Sequence, residues 1–142
     1  MTDAAIAAAG VASQCRDPQM LCPCVRSRYL ALLHEAEILH GMAVSLIETL
    51  RQPSRQAYYL RIGASRTMQS MHLAQPPHSL ALAFDAIPTL YLSERSWHPE
   101  GPLWPVLGSI GESVGLEWGG RWTGFHDAPH FQLRECLCVP HP

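Results

Sequence analysis

The chain has 142 residues, a formal net charge of −2, 47% hydrophobic residues and 15% charged ones. That length suits one ordinary domain with a real core, and the apolar share is too high for a disordered chain. No cluster of Lys or Arg supplies the electrostatic footprint of nucleic-acid binding, and no apolar run approaches the roughly 20 residues of a membrane span, so neither partner is expected.

The alanine-rich stretch from Thr2 to Gly10 carries Asp3 where a secretory signal has basic residues, and its apolar part is short. Residues 1–20 are therefore read as an N-terminal extension, at most a frayed helix, ahead of a domain over 21–142 that is made in the cytoplasm without a signal peptide. Five cysteines fall as Cys15, Cys22-Pro23-Cys24 and Cys136-Leu137-Cys138. Two C-x-C pairs are tighter than the C-x-x-C spacing of structural zinc sites, and reduced, partly buried thiols are the reading preferred.

From Arg26 to His40, Tyr29, Leu32, Leu33 and Ala36 recur at helical spacing, and Gly41 follows where a left-handed stop is wanted. Met42–Thr49 reads as a buried strand, with Val44, Leu46 and Ile47 along it. Pro53 then opens a second helix, with Tyr59, Leu60 and Ile62 for packing and Gly63 as its stop. The run Leu80–Asp85 alternates, setting Leu80, Leu82 and Phe84 on one face and Ala81, Ala83 and Asp85 on the other, where the small side chains leave room for a ligand beside the carboxylate. Pro102–Val114 has helical spacing, with Pro105 tolerated near its start. Gly115 ends it, and Leu116–Trp118 and His130–Arg134 read as strands, the second placing His130, Gln132 and Arg134 on one face.

Eight histidines offer several metal ligands. His34-Glu35 begins like H-E-x-x-H, but Ile38 occupies the second histidine's place, so that motif is absent. His34 and His40 are read as surface residues, His98 and His141 as without a role, and His126 as a rim residue. His130 differs, because a strand holds it and Asp127 lies three residues earlier across a turn made by Pro129. A zinc peptidase needs three protein ligands, an open position for water and a carboxylate that takes the proton as water attacks. Asp127 and His130 supply one base and one ligand, though D-x-x-H alone arises often by chance.

Several short motifs occur together and in order: Arg51-Gln52-Pro53-Ser54-Arg55-Gln56, Gly63-Ala64-Ser65-Arg66-Thr67, Ser70-Met71-His72, Ala83-Phe84-Asp85, Trp118-Gly119-Gly120 and Asp127-Ala128-Pro129-His130-Phe131. Over about Leu21 to Leu133 the chain thus resembles the M15 zinc peptidases, whose members cut the peptide stems of bacterial cell walls. The resemblance implies one Zn2+ held by a histidine ahead of the A-x-D strand, by Asp85 and by His130. It implies Asp127 as catalytic base and Arg51 as the group that steadies the substrate carbonyl, a permanent donor suited to an oxyanion. Glu48 nearby offers Arg51 the plainer alternative of a surface ion pair.

Two positions compete for the first histidine. His78 has the family's seven-residue spacing to Asp85 but Pro76 where serine is expected; His72 has Ser70 in place and lies farther off, with Gln75-Pro76-Pro77 reading as an inserted loop. His72 is preferred. Arg121 departs from the acid many relatives carry after W-G-G.

The elements and the resemblance together give one small α+β domain, a central antiparallel sheet carrying the zinc site on one face with helices packed on one side. The implied substrate is a peptidoglycan stem peptide, cut by a phage-endolysin type of L-alanyl-D-glutamate peptidase that is expected as a monomer and reaches the wall after release. A D,D-carboxypeptidase or D-Ala-D-Ala dipeptidase is the rival within the same chemistry, and a non-catalytic zinc-binding module the rival outside it. Host, wall chemotype and the role of the paired cysteines are not legible in the sequence.

Overall fold

In the computed structural model, described over residues 14–65, 67, 69–75 and 79–135, three α-helices and a four-stranded antiparallel sheet form an α+β domain. The order along the chain is α1 (Pro23–His40), β1 (Val44–Glu48), α2 (Pro53–Arg61), β2 (Ala83–Pro88), α3 (Leu103–Ser113), β3 (Glu117–Trp118) and β4 (His130–Gln132). In space the strands run β1-β2-β4-β3. Among the described residues no helix is long and apolar enough to cross a membrane.

The α1 stripe is as read from the sequence: Tyr29, Leu32 and Ala36 are buried, and Gly41 closes the helix at φ 60°. Gly41 itself takes this left-handed conformation cheaply because it has no Cβ to clash. α3 presents Trp104, Leu107 and Ile110 to the same core. Between the two helices and the sheet lie Phe84 of β2 and Phe131 of β4, which face each other across the strands with ring centroids 5.5 Å apart, while Tyr29 meets Phe84 edge-on at 5.1 Å. Both phenylalanines are fully buried, and each such ring contributes about 1.5–3 kcal/mol of burial.

α2 departs from expectation. Leu60 and Ile62 are 40% and 56% exposed and take no part in the core; the buried residues of the helix are Arg55, Gln56 and Tyr58. The inward face of this helix carries Arg55 and Gln56 because it turns toward Glu48 at the end of β1, and Leu60 and Ile62 are left to solvent. Only α1 and α3 therefore cover the apolar face of the sheet, and α2 borders the opposite face. β2 also differs: it begins at Ala83 and runs on to Pro88, pairing Ala86–Pro88 with β1. Leu80–Leu82 are drawn instead into separate bonds, Ala81 with Met20 and Leu82 with Met71. Residues 14–20 lie against the sheet end, where the Thr49 amide donates to the Cys15 carbonyl. Cys22 and Cys24 are buried with their sulfurs 3.4 Å apart, and Cys136 and Cys138 lie outside the described residues.

Gly108 and Gly111 let α3 lie flat on the sheet. A Cβ at Gly108 would stand 2.3 Å from the Trp118 ring, and one at Gly111 2.3 Å from Phe131. Helix propensity alone makes Gly111→Ala stabilising by about 1 kcal/mol. Overpacking against a fully buried ring costs about 1–3 kcal/mol and outweighs it. Urea unfolding of Gly111→Ala is therefore expected to show a net loss of stability; a gain would mean that α3 does not rest on the ring this closely.

Candidate metal centre

The pairing of β2 with β4 sets Asp85 directly opposite His130, so both side chains emerge on the face away from the Phe84–Phe131 stack. Glu48 pairs with Asp85 from the other side, across a bulge in β1. His72 enters from the segment between α2 and β2. Its amide is held by Ser70 Oγ at 3.1 Å and its carbonyl accepts from the Arg51 amide at 2.7 Å, which gives the Ser70-x-His72 motif a physical role.

The three side chains converge. His72 Nε2 lies 3.1 Å and His130 Nδ1 3.3 Å from the same Asp85 oxygen, Oδ1, and one ligand atom from each residue lies within 4.8 Å of the others, a group that could hold a metal ion. The outward nitrogens are occupied: His72 Nδ1 meets the Thr49 carbonyl at 2.8 Å, and His130 Nε2 meets Gln132 Oε1 at 2.7 Å. A hydrogen on each outward nitrogen leaves the inward lone pairs for an ion.

Asp127 sits beside this group, its Oδ2 3.9 Å from His130 Nδ1. Its position is set by the W-G-G turn. A Cβ on Gly119 would fall 2.4 Å from the Asp127 carbonyl oxygen, the Gly119 carbonyl accepts from the Asp127 amide at 3.0 Å, and Trp118 Nε1 donates to the Ala128 carbonyl at 2.6 Å. The glycine thus admits the Asp127–His130 turn at a distance no other residue allows, and the tryptophan ties it down.

Arg51 does pair with Glu48, at 2.8 Å, but the pair is buried rather than on the surface: the side chains are 8% and 1% exposed. Its guanidinium also donates to Gln56 Oε1 at 2.7 Å, lies 4.5 Å from the centre of the Tyr59 ring and stands 3.7 Å from Asp85 Oδ2. Arg55 adds a second cation, 3.3 Å from Glu48. Buried charges persist only when paired. Here Glu48 holds Arg51 at the edge of the site while Arg51 faces the carboxylate of Asp85.

This field sets the acids apart. Burial alone would raise the Asp85 carboxyl, but His72 and His130 hold it well below the usual carboxylate range. Burial and then the charge of Asp85 push the Asp127 carboxyl up, against the pull of His130, His72 and Arg51. One carboxylate stays ionised between the imidazoles and the other becomes a stronger proton acceptor. All five residues line a cavity of about 560 Å³, with Tyr59, Trp97, Trp122 and Phe125 among its walls.

Every described residue assigned to the site from the sequence is in it: His72, Asp85, His130, Asp127 and Arg51. His78 lies outside the described residues. His34 and His126 are exposed, and Arg121 points outward to Glu112 at 3.0 Å. Missed were Thr49, Gln56, Glu117 and the function of Gln132. The i, i+2 spacing had put Gln132 on the face of His130, but nothing in the sequence paired it with Glu117 on a strand formed some 15 residues earlier.

A small α+β domain with two histidines and a carboxylate gathered on the open face of its sheet, and an acid beside them, has the layout of a metallopeptidase. Residues 64–133 match the M15 peptidase family model described as D-alanyl-D-alanine carboxypeptidase. The L-alanyl-D-glutamate peptidase of Listeria phage A118 is 33% identical over 96 residues, covering 66% of this chain and 31% of that protein, so the chain spans about a third of the length of this curated relative. The crystal structure of the Serratia marcescens L-Ala D-Glu endopeptidase ChiX shares the fold, with a TM-score of 0.57 and 23% identity over 82% of each chain. Over the stretch that carries its motifs the chain is similar to M15 peptidases.

The geometry makes His72 the third member of the group that could hold a metal. His72→Ala is expected to lose the metal that the unmodified protein retains after dialysis, measured by elemental analysis. Full retention would move the ligand role to His78.

Proposed function

We propose that the chain is a zinc-dependent peptidase that cuts the stem peptide of bacterial peptidoglycan at the L-alanyl-D-glutamate bond. The observation that carries this reading is the convergence of His72 Nε2, Asp85 Oδ1 and His130 Nδ1 on one point, with Asp127 alongside and a cavity in front. Two imidazoles and a carboxylate are a common donor set for catalytic zinc, and ligand atoms each about 2.0–2.1 Å from a tetrahedral ion lie roughly 3.3 Å apart, close to the separations here. Bound there, zinc would supply a Lewis acid for the scissile carbonyl and lower the pKa of a water.

The protein's own groups do the rest. Asp127, with its raised pKa, accepts the proton as water attacks and passes it to the leaving amine. Arg51, held by Glu48 and Gln56, presents a fixed positive charge toward the developing oxyanion. The cavity walls exclude bulk water and position the peptide.

A carboxypeptidase is the second reading, favoured by the description of the matching family. It requires a cation for the substrate's terminal carboxylate. Among the described residues lining the cavity, Arg134 is engaged by Glu117, and Arg51, held by Glu48, is the cation assigned to the oxyanion, which leaves neither arginine for that carboxylate. This supports the endopeptidase. A purely structural zinc module has no use for a half-buried acid with raised pKa beside its ligands, which weighs against that reading. We place the action at the cell wall after release from the cell that makes the protein, in keeping with the phage origin of one relative.

Digestion of purified peptidoglycan followed by mass spectrometry is expected to give new N-terminal D-glutamate without free D-alanine; release of D-alanine alone would select the carboxypeptidase. Asp127→Ala should keep its zinc while wall clearing falls by about 10²–10⁴-fold, the usual worth of a general base. Clearing at the unmodified rate would remove Asp127 from that role.

A further inference from the structure

Behind His130 lies a chain of side chains that none of the motifs predicted. His130 Nε2 faces Gln132 Oε1 at 2.7 Å, Gln132 Nε2 donates to Glu117 Oε2 at 3.2 Å, and Glu117 also receives Trp122 Nε1 at 2.8 Å and a two-pronged grip from Arg134 at 2.7 and 2.8 Å. Gln132 is 5% exposed, and it shares a sheet face with both partners because β4 pairs Gln132 with Glu117.

The direction of this chain follows from hydrogen-bond chemistry. Glu117, an ionised carboxylate gripped by Arg134, can only accept. The amide nitrogen of Gln132 must therefore point to Glu117, and its oxygen to His130. An oxygen facing His130 Nε2 requires a hydrogen on that nitrogen, which leaves Nδ1 with a lone pair on the side of Asp85 and Asp127. His72 is set in the opposite sense, with its hydrogen on Nδ1 toward the Thr49 carbonyl and Nε2 facing inward. The two imidazoles thus offer different nitrogens, and each choice is made by its outer partner.

We propose that Glu117 and Gln132 are positioning residues for the metal: the anchored carboxylate fixes the amide of Gln132, and the amide fixes His130 as a ligand through Nδ1. The inference rests on the reading of His72, Asp85 and His130 as a metal site. It adds that the affinity of that site depends on an amide and a carboxylate that touch neither metal nor substrate. The oxygen that takes the Gln132 amide, Glu117 Oε2, also takes Trp122 Nε1 and Arg134 Nη2, so an acceptor is required at that point and a carboxylate supplies it.

Zn2+ affinity is measured by competition with a chromophoric chelator for the unmodified protein, for Gln132→Leu and for Glu117→Ala. Gln132→Leu is expected to bind Zn2+ about 10–100-fold more weakly, the usual loss on removing an outer partner of a ligand histidine. Glu117→Ala, which leaves the Gln132 amide without its anchor, is expected to weaken Zn2+ binding by about 10-fold. The melting temperatures of the metal-free proteins separate this from general destabilisation, and imidazole nitrogen NMR of the Zn2+-loaded unmodified protein is expected to show hydrogen on His130 Nε2. Unchanged affinity in Gln132→Leu or in Glu117→Ala, or hydrogen on His130 Nδ1, would each overturn the proposal while the metal site stands. Failure of the unmodified protein to bind Zn2+ would remove the metal site and the proposal with it.

Discussion

Everything at the site depends on the register of β2 against β4. Phe84 opposite Phe131 and Asp85 opposite His130 are successive pairs of the same ladder, one on each face of the sheet. A slip of one residue would send the carboxylate and imidazole into the core and the rings into the cavity. The apolar pairing that stabilises the domain is therefore also what brings the ligands together. α1 and α3 hold the aromatic face, and the glycines of α3 let them press close enough to leave no slack in it.

On the open face the charges are arranged in opposition. Asp85 lies between two imidazoles and a guanidinium, and that guanidinium is in turn held by Glu48. Such a chain sets the buried carboxylates of Glu48 and Asp85 beside an opposite charge. It also separates the two acids by environment rather than by chemistry: Asp85, between two imidazoles and a guanidinium, is held ionised, whereas Asp127, at the margin and next to another carboxylate, is pushed toward proton uptake. Division of labour between like groups arises in this way wherever their surroundings differ.

The parts of this arrangement that are local in sequence could be read there. The α1 stripe, the Gly41 stop, the alternation that sets Asp85 beside small residues, and the Asp127–His130 turn each depend on near neighbours along the chain. The Ser70–His72 bond and the approach of His72 to Asp85 bring the Ser70-x-His72 motif to the site, while His78 lies outside the described residues. The end of β2 escaped because its last residues are defined by pairing with β1, not by their own alternation. α2 was misjudged because its buried face follows Glu48 rather than apolarity, and the Glu117–Gln132 link escaped because only the fold brings those strands together.

The central claim is that one metal ion is held jointly by His72, Asp85 and His130. Anomalous diffraction at the zinc edge, from crystals grown with zinc, tests it most directly. A single strong peak in contact with His72 Nε2, an Asp85 oxygen and His130 Nδ1 is the expected result; a peak bound through His78 instead of His72, or none between these three residues, would contradict it.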